Sequence, residues 1–132
     1  MAKIYYDQDA DLNLLKDKTI AIIGYGIQGR GQALCLRDSG CRVVVSEMEG
    51  TPNYEQAKKD GFTPVAAAEA AKAADIIQIL TQDHVQSKVY KESIKPYLKK
   101  GSLKVIEAHY PACAADLVKS RNFISQIYDE SI

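Results

Sequence analysis

The stretch IAIIGYGIQGRGQAL, residues 20–34, decides the fold. Its first four residues are apolar without a break, as in a strand covered on both faces. Gly24, Gly26 and Gly29 follow in the spacing G-x-G-x-x-G, and a helical pattern takes over at Ile27. A glycine triplet alone is weak evidence, because such spacings arise by chance in loops. Between a strand and a helix it acquires a physical meaning. Gly24 permits a tight turn, Gly26 lacks the Cβ that would hold a pyrophosphate off the backbone, and Gly29 lets the helix lie close to the strand. The helix start then presents unbonded N–H groups and a partial positive charge to phosphates. The alternative is a glycine-rich turn kept only for close packing.

Outward from this unit, apolar runs alternate with helical stretches, the pattern of βαβ units around a parallel sheet. CRVVVSE (41–47), DIIQIL (75–80), SLKVIEA (102–108) and NFISQI (122–127) read as further strands, and KIYY near the start as a short one. Helices are expected from Ile27 to Asp38 with Gly40 as the C′ residue, and from Pro52 to Asp60 closed by Gly61. Others are expected in TPVAAAEAAKAAD, from Asp83 up to Pro96, and in PACAADLVKS. Asp9 or Asp11 is placed to cap a short helix through Leu15. The expected architecture is α/β: a Rossmann-like, doubly wound, mostly parallel sheet, with residues 1–132 as a single dinucleotide-binding domain.

Composition agrees. A chain of 132 residues suits one core, and 46% apolar with 26% charged residues is ordinary for a globular domain. Lysine plus arginine balance aspartate plus glutamate at 17 each, which gives no reason to expect a nucleic-acid or membrane partner. No apolar run approaches the roughly 18 residues that span a bilayer. MAKIYYDQDAD has no apolar signal-peptide core, so the expected location is cytoplasmic. There Cys35, Cys41 and Cys113 are expected as reduced, buried or half-buried thiols. They form no C-x-x-C pair, so zinc is not expected. Asp7, Asp9 and Asp11 read as helix caps on a solvated face rather than as a metal site.

A second marker of dinucleotide binding is an acidic residue about 20 positions past the glycines, at the end of the second strand. Glu47 stands there, and its carboxylate can accept hydrogen bonds from both hydroxyls of an adenine ribose while repelling a 2′-phosphate. The loop EMEGTPNY contains no lysine or arginine, only Glu47 and Glu49. Charge therefore favours NAD(H) over NADP(H). Thr51 and Asn53 remain as neutral donors that a phosphate can use, and the plain alternative for Glu47 is a solvated strand-end carboxylate.

The residues also carry a family likeness. MAKIYYDQDADLNLLKDKTIAIIGYGIQGRGQALCLRDSG resembles the start of ketol-acid reductoisomerases, also called acetohydroxyacid isomeroreductases. The likeness continues through VVVSEMEG, YEQAKKDGF, AEAAKAADII, LTQDHVQ, VYKESIKPYLKKG and EAH, over roughly residues 1–109. It implies a Rossmann-type cofactor domain from enzymes of branched-chain amino-acid biosynthesis. In that family, alkyl migration in a 2-acetohydroxy acid is coupled to reduction by NADPH with two magnesium ions. Gly24, Tyr25, Gly26, Gln28 and Gly29 match its pyrophosphate loop. Ile27 replaces a usual Ser, and Met48 replaces the Arg that holds the 2′-phosphate, while Thr51 sits where a phosphate-binding Ser is common. Thr81 and Asp83 match the loop beside the nicotinamide ribose, with Gln82 in place of a usual Pro, which should leave that loop looser, and Gln86 also matches the family pattern. His109 aligns with the active-site histidine, although HYP replaces the family's HGF motif. A histidine at a strand end with no chemistry is the alternative for that position.

The resemblance implies a second, helical domain that supplies the magnesium ligands, and that domain is expected to be absent from these 132 residues. Reductoisomerase chemistry from this chain alone is therefore not expected. Magnesium is expected only if a second domain or a partner chain supplies its ligands. A homo-oligomer is the other way to cover exposed apolar surface, with Tyr90, Tyr97 and Tyr128 as candidates to line the contact. Two other functions remain open: a non-catalytic nucleotide-binding or assembly module, and a small dehydrogenase using His109 as acid and base.

Overall fold

The computed structural model describes Ile4 and Tyr6–Ile106, with only the backbone at 103–106. Four strands alternate with helices: β1 (Thr19–Ile23), α1 (Ile27–Asp38), β2 (Arg42–Ser46), α2 (Pro52–Lys59), α3 (Ala67–Ala73), β3 (Ile76–Ile79), α4 (Asp83–Val89) and β4 (Leu103–Ile106). The strands form one sheet in the order β2-β1-β3-β4, and every pairing is parallel. Ile20 lies beside Val43 and Ile76, and Ile23 beside Ser46 and Ile79. The chain reverses its direction of travel across the sheet between β2 and β3. That topology is Rossmann-like, as the sequence led us to expect.

All five β1 residues are buried, because each face of the strand meets its own layer. Ile20 and Ile22 join Tyr25, Ala33, Val45 and Ala57 under α1 and α2. Ala21 and Ile23 join Ile77, Ile79 and the alanines of α3 on the opposite face, together with Tyr90 and Ile94. The start of β1 is closed by a reciprocal pair: Thr19 N donates to Asp75 Oδ2 at 3.0 Å, and Asp75 N donates to Thr19 O at 2.9 Å. The Thr19 amide draws the Asp75 carboxyl below its usual range.

Local signals account for most boundaries. Gly40 and Gly61 take φ of +83° and +90° just past α1 and α2, the left-handed conformation that ends a helix at little cost to glycine. Thr51 caps α2 with its hydroxyl, which accepts from Tyr54 N at 3.1 Å. Asp11 caps a 3₁₀ turn over Leu12–Leu15 by accepting from Asn13 N at 2.9 Å, and Asp9 accepts from Tyr6 N across a second turn, Asp7–Asp9.

Four expectations need correction. Ile4 and Tyr6 are exposed and outside any strand, so β1 begins only at Thr19. The helix opening at Asp83 does not run evenly to Pro96: it is α-helical to Val89, widens to a π turn over Tyr90–Ile94, and tightens to a 3₁₀ turn over Lys95–Tyr97. Pro96 has no N–H to donate and its ring crowds the preceding turn, so a regular helix cannot continue through it. Tyr90 is 3% exposed and belongs to the core, so it lines no contact surface. Tyr97 is 38% exposed, with the Lys72 ammonium 4.5 Å above its ring. Cys35 is exposed, not buried or half-buried as expected, while Cys41 is half-buried; both are free thiols. Cys113, Tyr128, the helix over PACAADLVKS and the strand over 122–127 lie outside the described residues. Among the described residues, no helix is long and apolar enough to cross a membrane.

Candidate dinucleotide site

The turn leaving β1 is pinned at its base. Gly24 N donates to Ser46 O at 2.9 Å, and Leu80 N donates to Ile23 O at 2.8 Å. The turn thus stands between the C-terminal ends of β2 and β3, at the switch in strand order where open α/β sheets take ligands. Its three glycines have three different surroundings. Gly24 has φ +101°, and a Cβ there would lie 3.0 Å from both Leu80 O and Thr81 N. At Gly29 a Cβ would lie 1.9 Å from Gly24 O, so the first turn of α1 rests directly on that carbonyl. At Gly26, the N-cap of α1, a Cβ would meet nothing within 4 Å. The first intrahelical bond runs from Arg30 N to Gly26 O at 2.9 Å. The amides of Ile27, Gln28 and Gly29 precede it and point out of the helix start beside the open Gly26. That arrangement suits an oxyanion.

Glu47 is half-buried, not a freely solvated carboxylate. Its Oε2 accepts from Tyr25 N at 2.8 Å and its Oε1 accepts from Met48 N at 2.9 Å. The side chain therefore braces the glycine turn against the end of β2, and each oxygen keeps a lone pair for a further donor. Met48 is 74% exposed beside it. The Thr51 hydroxyl, besides capping α2, donates to Met48 O at 2.8 Å, which folds this short loop back on itself. Asn53 is exposed on α2 and faces a groove of about 270 Å³ that it shares with Gly26, Ile27, Arg30, Gly31 and Gln56.

Tyr25 enters the core. It is 1% exposed, its ring meets Phe62 edge-on at 5.7 Å, and its hydroxyl donates to Asp60 Oδ2 at 2.9 Å. Burial, and then the Asp60 carboxylate, push the phenol up to about 12. Asp60 gathers further donors: Arg30 Nε on Oδ2 at 2.7 Å, Arg30 Nη2 on Oδ1 at 3.1 Å and Gln56 Nε2 on Oδ1 at 3.1 Å. The Arg30 guanidinium holds the Asp60 carboxyl well below the usual carboxylate range.

Past β3, the Thr81 hydroxyl is buried and has no hydrogen-bond partner. The Thr81 carbonyl accepts from Gln86 Nε2 at 3.0 Å, and Gln86 is only 2% exposed. Gln82 has φ −56°, within the range that proline fixes, so the loop takes a proline-like course without a proline. Asp83 is half-buried at the start of α4.

The family profile described as acetohydroxy acid isomeroreductase, NADPH-binding domain, matches residues 14–126. The chain belongs to the ketol-acid reductoisomerase family. It is 54% identical over 102 residues to the ketol-acid reductoisomerase (NADP(+)) of Methanopyrus kandleri, covering 77% of this chain and 31% of that one. The NADH-preferring ketol-acid reductoisomerase from an uncultured archaeon superimposes with a TM-score of 0.76 at 44% identity, over 80% of this chain and 33% of that one. The Mycobacterium tuberculosis 3-hydroxyisobutyrate dehydrogenase, at 18% identity and a TM-score of 0.67 over 83% of this chain and 37% of that one, shares the fold alone. The chain spans about a third of the length of the reductoisomerases it matches.

Within this reductoisomerase nucleotide-binding domain, the structure gathers the expected positions at one edge of the sheet. The glycine turn, Glu47 and Thr51 stand at the ends of β1 and β2, and Thr81, Asp83 and Gln86 at the end of β3. Gln28 is exposed on the first turn of α1. His109 lies outside the described residues. Sequence reading missed Asp60 and Arg30, since an ion pair 30 residues apart leaves no local signal, and with them Gln56, four residues before Asp60 on α2. It also missed the side-chain bond between Gln32 of α1 and Gln78 of β3.

Proposed function

We propose that this chain binds a nicotinamide dinucleotide across the turn from Gly24 to Gly29, with NAD(H) preferred over NADP(H). The observation that carries the reading is the open position at Gly26 beside three helix-start amides, one residue from a turn that Glu47 already braces. The amides of Ile27 and Gln28 receive the diphosphate. Glu47 accepts from the adenine ribose hydroxyls through the lone pairs its backbone donors leave free, and its charge disfavours a 2′-phosphate. Met48 supplies no cation there, and Thr51 and Asn53 offer only neutral groups. Thr81, with its unpartnered buried hydroxyl, and Asp83 receive the nicotinamide ribose on a loop that Gln86 holds in place. When bound, the dinucleotide supplies the hydride.

The activity we propose is that of a ketol-acid reductoisomerase, completed by a helical part that carries the two magnesium ions. The rest of the protein or a separate partner chain supplies that part. His109 is the proposed catalytic histidine. The location we propose is the cytoplasm.

Separate fluorescence titrations with NADH and NADPH test the reading. NADH is expected to bind more tightly. Gly26→Ala is expected to cost about 1 kcal/mol or less of stability, because the Cβ meets open space, while weakening NADH binding roughly tenfold or more by occupying the diphosphate's place. No association of either dinucleotide at millimolar concentration overturns the binding site, and tighter binding of NADPH overturns the preference.

A further inference from the structure

We infer that Asp60 is a specificity-determining residue, which favours an unphosphorylated ribose by withholding Arg30 from the groove between α1 and α2; the inference rests on the dinucleotide reading above. Among the described residues lining that groove, Arg30 is the one charged side chain. The groove joins Gly26, in the turn that Glu47 braces, to Asn53 and Gln56 of α2. On the dinucleotide reading, this is the space we assign to a 2′ substituent of a ribose held by Glu47. A guanidinium standing free there would be the natural partner of a phosphate, which it recognises through two parallel N–H bonds.

Asp60 occupies that fork. Arg30 Nε and Nη2 reach its two carboxylate oxygens at 2.7 and 3.1 Å, the bidentate arrangement that a phosphate would otherwise receive. The Asp60 side chain is 13% exposed, against 47% for Arg30, so the carboxylate is the fixed partner and the guanidinium the recruited one. Helix stability does not explain an aspartate at this position. Asp60 is the C-cap of α2, where a negative charge meets the negative end of the helix dipole. What retains it is a pair of donors from outside α2, Arg30 and the Tyr25 hydroxyl, joined by Gln56 Nε2 from the last turn of α2 itself. Arg37 fastens the same corner, with Nη1 donating to Asp60 O at 2.6 Å and its guanidinium 4.8 Å over the Phe62 ring. The corner is therefore held from several directions, and the groove presents a neutralised pair to a ligand.

The test measures the NADH and NADPH dissociation constants of the full chain and three variants, with thermal unfolding run in the same buffer. Asp60→Asn keeps an acceptor for Tyr25 but releases the guanidinium, and it is expected to tighten NADPH relative to NADH by about tenfold, the value of one charge-assisted bond. Arg30→Gln is expected to leave the NADPH-to-NADH ratio unchanged, because its charge is already engaged. The double variant is expected to return the ratio to within about twofold of the unsubstituted chain. An unshifted ratio in a folded Asp60→Asn variant overturns the inference. So does a shift that survives in the double variant, which would make the effect simple loss of negative charge. A drop in relative NADPH affinity in Arg30→Gln also overturns it, since Arg30 would then already serve the phosphate; if Asp60→Asn fails to fold, Asp60→Ser, which also frees the guanidinium, is expected to shift the ratio in the same direction, and an unshifted ratio there overturns the inference. If the unsubstituted chain binds neither dinucleotide, the proposed function fails first and carries this inference with it. Intact binding with an unshifted ratio in the Asp60 variants sinks the inference alone.

Discussion

The two faces of the sheet are covered in different ways. On the α3 side the layer is apolar: Ala70, Ala71 and Ala74 let the helix lie close, and Ile77, Ile79, Tyr90 and Ile94 fill the space. At the rim of that layer, Lys99 Nζ donates to Ala73 O at 3.1 Å, at the last residue of α3. On the α1 side the apolar layer is crossed by fixed polar bonds. Tyr25 reaches through it to Asp60, and the glycine turn is gripped by its backbone at Glu47 and by its side chain at Asp60. Apolar packing needs volume and tolerates small rearrangement, whereas hydrogen bonds fix direction as well as distance. The face that needs only to be covered has bulk; the face that opens the candidate site has geometry.

Substitutions should separate the two faces by what they damage. Gly29→Ala is expected to do the most. Its Cβ would lie 1.9 Å from Gly24 O, a backbone atom already pinned beside β2 and β3, so neither side can yield cheaply. A loss of more than about 4 kcal/mol in urea denaturation is expected, and dinucleotide binding should disappear with it. Ile77→Ala on the other face removes a fully buried side chain. It should cost about 3 kcal/mol by lost transfer energy and the cavity left behind. NADH affinity measured well below the unfolding transition should stay within about twofold, since additivity holds for separated sites. Equal loss of affinity in Ile77→Ala would show that the apolar face also sets the geometry of the turn.

The same contrast explains what could be read from sequence. The extent of α1 was legible because both of its ends are written locally, by Gly26 at the start and by Gly40, with φ +83°, past the end. The strands were legible because burial on two faces demands continuous apolar runs, although each is shorter than its run: β3 is Ile76–Ile79 within DIIQIL. KIYY looked like a strand because its residues have the right propensity, but Ile4 and Tyr6 find no partner strand. Propensity alone does not make a sheet. Pro96 announced the end of a helix without saying how the chain would accommodate it, and the π and 3₁₀ turns are that accommodation. Glu47 could be placed at the end of a strand by counting, whereas its bond to Tyr25 N depends on how the turn is oriented. Asp60 was invisible for the same reason: ahead of Gly61 it reads as a solvated helix-end residue, and its partners Tyr25 and Arg30 are 35 and 30 positions away.

The smallest effect is the most direct probe of the polar grip on the α1 face. The Tyr25 phenol is pushed up to about 12 in the folded chain, by burial first and by Asp60 second, against about 10 when unfolded. Because the folded value is the higher one, the protonated form is favoured by folding. Its contribution is complete below pH 10 and is lost as pH rises from about 10 toward about 12, the interval in which the unfolded chain has released the proton and the folded chain has not. Stability is therefore expected to fall by about 1 kcal/mol between pH 9 and 11 beyond the change seen in Tyr25→Phe, which keeps the ring against Phe62 but has no proton to lose. Urea midpoints for the two proteins at matched pH provide the comparison, and their difference removes the other titrating groups common to both. Parallel slopes would mean that the hydroxyl is solvated and that no bond to Asp60 holds it. The α1 face would then be packed in the same manner as the α3 face, and the distinction between bulk and geometry would lose its main support.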